Sequence, residues 1–187
     1  MAAAVAIAAA VVTTAGCTTG DDAVNQMSGT SNGFVTTADG TKVFNAGSRP
    51  AAPTVSGTLL DGTAFDLSSE RGHIVVLNFW GSWCGPCRVE AADLQSVYAA
   101  GQAQGVKFVG VNLQDEHDAA VDYERAHGIT YPSLFDPAGR VALQFRDVPP
   151  SAIPSTLVLD ATGRIAAIHL GSITRAELTD LIAKAGP

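Results

Sequence analysis

The sequence predicts an α/β domain in which a mixed β-sheet carries helices on both faces. Two continuous apolar runs, at 74–79 and 107–113, have the β-branched character of buried strands. The stretch between them has apolar residues at helical spacing, which indicates a parallel βαβ crossover. Two strand-like segments joined by a turn, and a final helical segment, follow near the C-terminus. Because a short turn joins antiparallel strands, the sheet should contain both strand directions.

Each predicted element has its own signal. Asp61-Gly62 stands between arms of alternating hydrophobicity, a pattern typical of a β-hairpin turn. Thr174 and Glu177 have the spacing of a capping box, which predicts the start of the last helix. The predicted order is a hairpin around Asp61-Gly62, a strand at 74–79, a helix from Gly85 to about Gly101, a strand at 107–113, a helix at 117–127, strands at 156–160 and 164–170, and a helix from 174 to about Ala185.

Composition limits the classes of partner. The chain has 187 residues, of which 47% are hydrophobic and 16% charged, enough for one packed domain with appendages. The formal net charge is -7, and the sequence contains no basic run. This balance argues against binding of nucleic acid and against a polybasic contact with anionic lipid, since both need clustered Lys and Arg.

The N-terminus resembles a bacterial export signal with a lipobox-like end. Residues 2–12 are small or apolar, and the run is short for a transmembrane helix, which needs about 20 residues. Small residues precede Cys17, which is predicted to become the lipidated first residue of the mature protein. Thr14 stands where such signals usually have Leu, and no basic residue occurs before Lys42. A soluble exported protein with an incidental Cys17 is therefore the alternative.

These signals divide the chain into three predicted parts. Residues 1–17 are the signal peptide. Residues 18–50, rich in Gly, Ser, Thr, Asn and Asp, predict a flexible linker. Residues 51–187 form the folded domain, which the linker would hold off the outer face of the membrane.

A CxxC pair, Cys84-Gly85-Pro86-Cys87, lies where the first buried strand gives way to a helix. The free N–H groups and the dipole of a helix N-terminus favour an anion, so we expect the pKa of the Cys84 thiol to lie below its ordinary value. The thiolate is the attacking species in disulfide exchange. Pro86 suits the first helical turn, where a missing N–H costs nothing. Because Cys87 lies one turn further along, we expect Cys84 to attack and Cys87 to resolve the mixed disulfide.

Other roles for the two cysteines fit the sequence less well. A structural zinc site needs four ligands, and only one CxxC is present. The histidines have no paired spacing; they are His73, His117, His127 and His169. No metal is therefore expected. A purely structural disulfide would close a very small loop and contribute little stability.

The segments NFWGSWCGPCRVE and SAIPSTLVLDATGRI resemble the TlpA-like and ResA-like branch of the thioredoxin superfamily over about residues 50–187. Members of this branch are membrane-tethered, extracytoplasmic thiol–disulfide oxidoreductases. The resemblance implies a thioredoxin-like fold with an N-terminal β-hairpin extension. A peroxiredoxin, on the same fold, would need Thr or Ser three residues before its reactive cysteine, where this chain has Gly81.

The resemblance also implies how protons are handled. Asn78 occupies the position at which ordinary thioredoxins have a buried aspartate, and an amide cannot exchange a proton at neutral pH. Glu90 matches the family's buried glutamate, one helical turn after Cys87. Burial should raise the pKa of this carboxyl and suit it to accept or return protons. Ala92 departs from the family, which often has proline there. The alternative for Glu90 is a solvated side chain near a helix N-terminus.

A substrate-binding surface is implied as well. Ile153-Pro154 matches the family's cis-proline, which faces the CxxC across a shallow groove. Ile153 would then offer its backbone to an extended substrate segment, as in β-augmentation. Trp83 flanks the same surface as an apolar contact.

The function implied is a dithiol–disulfide exchanger that works as a reductant, with no cofactor other than the redox-active Cys84-Cys87 disulfide. In the family, electrons come from a membrane thiol relay and pass to protein substrates such as apocytochrome c. A disulfide-forming oxidase on the same fold is an alternative, since direction depends on potential and partners. A copper-binding chaperone that uses His169 is the third possibility.

Overall fold

The computed structural model describes residues 33–145 and 152–186. The predicted signal peptide, Cys17 and the first part of the predicted linker therefore lie outside the described residues. Within these two ranges, no helix combines the length and the hydrophobicity that a membrane crossing requires.

The described residues form a seven-stranded mixed sheet, a separate two-stranded hairpin and three α-helices. The elements in chain order are β1 (Phe34–Thr36), β2 (Lys42–Phe44), β3 (Ser56–Thr58), β4 (Ala64–Asp66), β5 (Val75–Trp80), α1 (Gly85–Gly101), β6 (Lys107–Leu113), α2 (His117–His127), β7 (Ser133–Asp136), β8 (Ser155–Leu159), β9 (Ile165–Leu170) and α3 (Arg175–Ala185). The α/β class and both strand directions are confirmed. The capping box of Thr174 and Glu177 is present at the start of α3.

The large sheet has the strand order β1-β2-β9-β8-β5-β6-β7. Strands β5, β6 and β7 are parallel to one another. The neighbouring pairs β1–β2, β2–β9, β9–β8 and β8–β5 are antiparallel. All six residues of β5 are buried, as expected for a strand covered on both faces. This strand leads directly to the CxxC pair.

Alternate residues of β5 point to two cores, because successive side chains in a strand face opposite sides of the sheet. Val76 packs with the apolar residues of α1 and α3, whereas Leu77 and Phe79 pack on the other face. Trp80, on the same side as Val76, stacks on Tyr123 of α2 at a ring distance of 4.7 Å. The three α-helices therefore share one face.

Helices on both faces are confirmed in this form: the three α-helices cover one face, and the 3₁₀ helices Leu67–Glu70 and Ala142–Gln144 contribute buried residues to the other. The crossovers β5-α1-β6 and β6-α2-β7 add strands in the same direction along the sheet. Since parallel crossovers are almost always right-handed, both helices then lie on the same side. The hairpin β3–β4 and the segment 141–145 contribute the apolar residues that close the opposite face.

The hairpin predicted at Asp61-Gly62 is confirmed. Leu59 and Thr63 close the turn, with Leu59 N–H donating to the Thr63 carbonyl at 2.8 Å. Gly62 has a φ of +87°, a conformation that glycine adopts without steric cost. Beyond the turn, Leu59 forms a β-bridge with Leu134 of β7. Strand β7 was not predicted, because its four residues follow Pro132 with no repeated pattern.

The predicted flexible linker is wrong for residues 34–50. Strands β1 and β2 pair with each other, and β2 pairs with β9 through Lys42–Ile168 and Val43–Ala167. The few apolar residues in this polar stretch are enough to stabilise two short strands, because these strands pack onto an existing sheet. The folded domain therefore begins before residue 51, within the stretch assigned to the linker.

Arg49 ties the end of this segment to the rest of the domain. Its guanidinium contacts Asp160 at 3.0 Å and donates to the carbonyls of Lys184 and Ala185 at the end of α3. The two side chains are 8% and 11% exposed, so the ion pair is largely removed from water.

We expect Arg49→Ala to lower the free energy of unfolding by about 3 kcal/mol, because the buried Oδ2 atom of Asp160 and two helix-end carbonyls lose their donor. Urea unfolding of the oxidised protein measures this difference. The control is Arg175→Ala, which removes an exposed pair with Asp93 and should cost about 0.5 kcal/mol or less. Equal small losses in both variants would show that residues 34–50 contribute little to the fold.

Candidate active site

Strand β5 and helix α1 meet at the CxxC pair. Cys84 is the N-cap residue of α1, and Pro86 lies in the first turn. Cys84 and Cys87 form a disulfide and are 3% and 2% exposed. The pair therefore lies at the edge of the packed core, beyond the end of β5 and at the positive N-terminal end of the α1 dipole.

The helix N-terminus is directed at one of the two sulfurs. The backbone N–H of Cys87 donates to the Sγ atom of Cys84 at 3.2 Å. In the reduced protein the same N–H can stabilise a thiolate on Cys84, in addition to the dipole of the 17-residue helix α1. That Cys84 is the attacking sulfur stays a prediction.

Glu90 is a buried carboxyl one turn beyond Cys87, and it is 2% exposed. Its Oε1 atom accepts from the Asn78 side-chain amide at 2.8 Å, and its Oε2 atom accepts from the Ile173 N–H at 3.0 Å. Asn78 lies on β5 and also donates to Thr156 of β8 at 3.2 Å. The alternative of a solvated glutamate is therefore wrong, although Ala92 replaces the family's proline.

The environment of Glu90 changes its acidity. Burial raises the pKa of Glu90 to about 7, although the hydrogen bonds from Ile173 and Asn78 stabilise the carboxylate. A carboxyl with a pKa near neutrality can both accept and return a proton at physiological pH.

The predicted substrate-binding residues lie around the pair. Trp83 is 53% exposed, and its indole N–H donates to the carbonyls of Leu113 and Gln114 at 3.3 and 3.1 Å. Ile153 packs against the cluster of buried residues that contains both cysteines, and the Ile153-Pro154 bond is cis. The structure thus brings Trp83 and Ile153 to the same end of the sheet as Cys84.

His169 lies in β9 and is engaged through both ring nitrogens. Its Nε2 atom donates to the Ser172 carbonyl at 3.1 Å, and its Nδ1 atom lies 2.7 Å from the Thr41 hydroxyl. Neither nitrogen is free for copper in this arrangement. Within the described residues, no group of three or more His, Cys, Asp or Glu side chains is arranged to hold a metal ion.

Several contacts at the site were not anticipated from the sequence. The carboxylate of Asp115 accepts from the backbone N–H and the hydroxyl of Ser82, at 2.6 and 2.7 Å. Arg88 donates to the Ser82 carbonyl at 3.0 Å. Ser82 and Asp115 are 33 residues apart, and no local pattern in the sequence links them.

The known proteins that resemble this chain include thiol–disulfide oxidoreductases. The AhpC/TSA family model matches residues 49–168. Thiol-disulfide oxidoreductase ResA of Bacillus subtilis (strain 168) is 31% identical over 120 residues, which are 64% of this chain and 65% of that protein. The chain thus spans slightly less than two thirds of this relative's length.

Solved structures similar to this chain include proteins of the same kind. A DsbF homologue from Corynebacterium diphtheriae has a TM-score of 0.73 and 37% identity, over 76% of this chain and 91% of that one. A secreted thiol-disulfide isomerase from Corynebacterium glutamicum has a TM-score of 0.74 and 35% identity, over 80% and 95% of the two chains. The thioredoxin-like fold predicted from the sequence is therefore confirmed.

Glu90→Gln should change how stability depends on pH. The unfolded chain ionises this carboxyl near its ordinary pKa of 4.5, and the folded protein ionises it only near 7. Between these values the folded protein keeps a proton that the unfolded chain has lost, so the Glu90 contribution to the free energy of unfolding falls as pH rises, by up to about 3 kcal/mol. Relative to wild type, the variant should gain that amount between pH 4.5 and 8 in urea unfolding.

Glu177→Gln is the control with the opposite sign. Hydrogen bonds from Thr174 lower the pKa of Glu177, so its stabilising contribution is lost as pH falls. Relative to wild type, this variant should lose stability as pH rises. A pH-independent difference between Glu90→Gln and wild type would contradict the raised pKa of Glu90.

Proposed function

This chain belongs to the AhpC/TSA family. We propose that it is a thiol–disulfide oxidoreductase that reduces protein disulfides outside the cytoplasmic membrane through Cys84 and Cys87. The observation that carries the proposal is the bonded pair at the start of α1, with the Cys87 N–H directed at the Cys84 sulfur. A buried carboxyl one turn away supplies the means of moving protons.

The proposed reaction begins with the reduced pair. The Cys84 thiolate attacks one sulfur of a substrate disulfide, the substrate S–S bond breaks, and one substrate thiolate leaves. Cys87 then loses its proton and attacks the Sγ atom of Cys84. The bond between enzyme and substrate breaks, and the second substrate thiolate leaves. The substrate gains two electrons and the Cys84-Cys87 disulfide forms, so a reduced dithiol donor must restore the enzyme.

Glu90 is the proposed acceptor for the Cys87 proton. Cys87 is buried, so direct loss of its proton to solvent is hindered, and the carboxyl lies one helical turn away. Asn78 cannot take this role, but its amide holds the carboxyl in place. With a pKa of about 7, Glu90 can accept the proton as Cys87 attacks and return one when the disulfide is reduced again.

Trp83 and Ile153 are the proposed contacts for the substrate chain. Trp83 exposes about half of its surface beside Cys84, and the indole is held by two backbone carbonyls. An aromatic surface with a fixed orientation offers apolar contact area at low entropic cost. Ile153 and Pro154 form the other side of this surface.

The reducing direction is supported by the residues between the cysteines. Gly85-Pro86 is also the dipeptide of thioredoxin, whose potential is about -270 mV. A reductant in an oxidising compartment needs electrons from elsewhere, and a membrane thiol relay is the proposed donor. Apocytochrome c is the proposed example of a protein substrate.

A location outside the cytoplasmic membrane is supported by two further observations. The N-terminal 17 residues resemble a lipoprotein signal that ends at Cys17. The similar protein of Corynebacterium glutamicum is described as secreted. We propose that Cys17 carries the lipid that anchors the domain to the outer face of the membrane.

Cys87→Ser should trap a mixed disulfide between Cys84 and an oxidised substrate protein, because attack remains possible and resolution does not. Non-reducing electrophoresis and mass spectrometry measure the covalent complex. Cys84→Ser is the matched control and should trap almost none, since the attacking sulfur is lost. Trapping by Cys84→Ser in place of Cys87→Ser would reverse the two roles, and trapping by neither would refute exchange through this pair.

The midpoint potential of the pair tests the direction of the reaction. We expect a value near about -270 mV, as for thioredoxin, when the protein is equilibrated with glutathione buffers and alkylated. The Cys84→Ser, Cys87→Ser protein gives the background labelling. A value near about -120 mV would instead support a disulfide-forming oxidase.

A further inference from the structure

We propose that Asp115 is a positioning residue for disulfide exchange, because it holds Ser82 and thereby determines where the Cys84 sulfur lies at the start of α1. The proposal rests on the attacking role of Cys84 described above. It assigns a function to a residue that lies outside the CxxC motif, in the loop between β6 and α2.

Both carboxylate oxygens of Asp115 are fully engaged. Oδ2 accepts from the Ser82 N–H at 2.6 Å and from the Asn112 side-chain amide at 2.9 Å. Oδ1 accepts from the Ser82 hydroxyl at 2.7 Å and from the Glu116 N–H at 3.0 Å. The carboxylate therefore holds both donors of Ser82, and Asn112 and Glu116 keep the carboxylate from rotating. Hydrogen bonds to an ionised acceptor are roughly twice as strong as neutral ones.

Ser82 has no polar group left free. Its two donors go to Asp115, and its carbonyl accepts from Arg88 of α1 at 3.0 Å. The residue is thus held from the β6–α2 loop on one side and from the active-site helix on the other.

A second set of hydrogen bonds joins the loop 81–83 to the end of β6 and the residue after it. The Trp83 indole donates to the carbonyls of Leu113 and Gln114, next to Asp115 in the chain. Gly81 makes this approach possible, because a Cβ atom there would lie 2.8 Å from the indole nitrogen and 3.3 Å from the Leu113 carbonyl. The loop 81–83 is therefore attached to the end of β6 at consecutive residues.

Cys84 takes its position from this loop. Its N–H donates to the Gly81 carbonyl at 3.0 Å, which closes a tight turn directly before the helix. Its sulfur accepts from the Cys87 N–H, a group carried by the rigid helix. In the reduced protein no disulfide holds the sulfur, so it meets that N–H only while the loop keeps its place, since one partner belongs to the loop and the other to α1. Loss of the Asp115 contacts should therefore weaken the stabilisation of the Cys84 thiolate.

Substitution of Ser82 tests whether the Asp115 contacts position the Cys84 sulfur, and it does so without a change in charge. Ser82→Ala removes the hydroxyl bond to Asp115, so we expect the rate of Cys84 attack on oxidised glutathione at pH 7 to fall about threefold. Thiolate absorbance of the reduced protein should show a raised pKa for the Cys84 thiol. Ser82→Thr keeps the hydroxyl donor and should restore both the rate and the thiol pKa. If Ser82→Ala and Ser82→Thr behave alike, the hydroxyl contact does not position the sulfur and the proposal is overturned.

Asp115→Asn tests the carboxylate itself. The amide nitrogen would face a donor of Ser82, and we expect a rate about tenfold lower than wild type. Glu116→Gln removes the same charge from the neighbouring, exposed residue, and its rate should stay within about twofold of wild type. Equal rates for the two variants would overturn the proposal. If Asp115→Asn does not fold, the comparison of Ser82→Ala with Ser82→Thr tests the proposal instead. A wild-type protein without exchange activity would refute the proposed function itself.

Discussion

The backbone N–H of Cys87 lies 3.2 Å from the sulfur of Cys84, and the proposed mechanism depends on this contact persisting after the disulfide is reduced. The N–H belongs to a long helix packed on the sheet, and the sulfur belongs to the residue that ends a loop. A helix N-terminus stabilises an anion only at short range, because its effect falls off within the first turn. The fully buried strand β5 gives the loop a rigid start, and the contacts of Ser82 and Trp83 hold its end.

A buried carboxyl beside this pair is costly for the fold, and it is the group proposed to accept the Cys87 proton. Glu90 keeps two hydrogen-bond donors, one from the centre of the sheet and one from the segment before α3. These donors reduce the cost of burial without abolishing it, so the pKa stays near neutrality. Replacing the aspartate of ordinary thioredoxins by Asn78 turns a proton-exchanging group into a donor that orients Glu90.

The N-terminal strand pair is connected to the same region. Thr41, directly before β2, contacts the imidazole of His169, and that imidazole donates to the Ser172 carbonyl. Ser172 in turn donates to the Pro86 carbonyl, and its neighbour Ile173 donates to Glu90. The segment that holds Glu90 is therefore supported by residues that the composition alone assigns to a linker. Local composition misleads here because a short strand gains its stability from the sheet it joins.

The sequence by itself determined the elements whose signals are local. The apolar runs of β5 and β6, the hairpin turn at Asp61-Gly62, the capping box of α3 and the CxxC at a helix start all depend on residues a few positions apart. The attacking role proposed for Cys84 rests on the same local signal, and the resemblance added Glu90 and Pro154. Tertiary structure alone decided which face the helices cover, whether residues 34–50 join the sheet, and which groups hold Glu90 and Ser82. Those outcomes depend on pairs such as Asp115 and Ser82 or Ile173 and Glu90, which are distant in the chain and meet only when the sheet has formed.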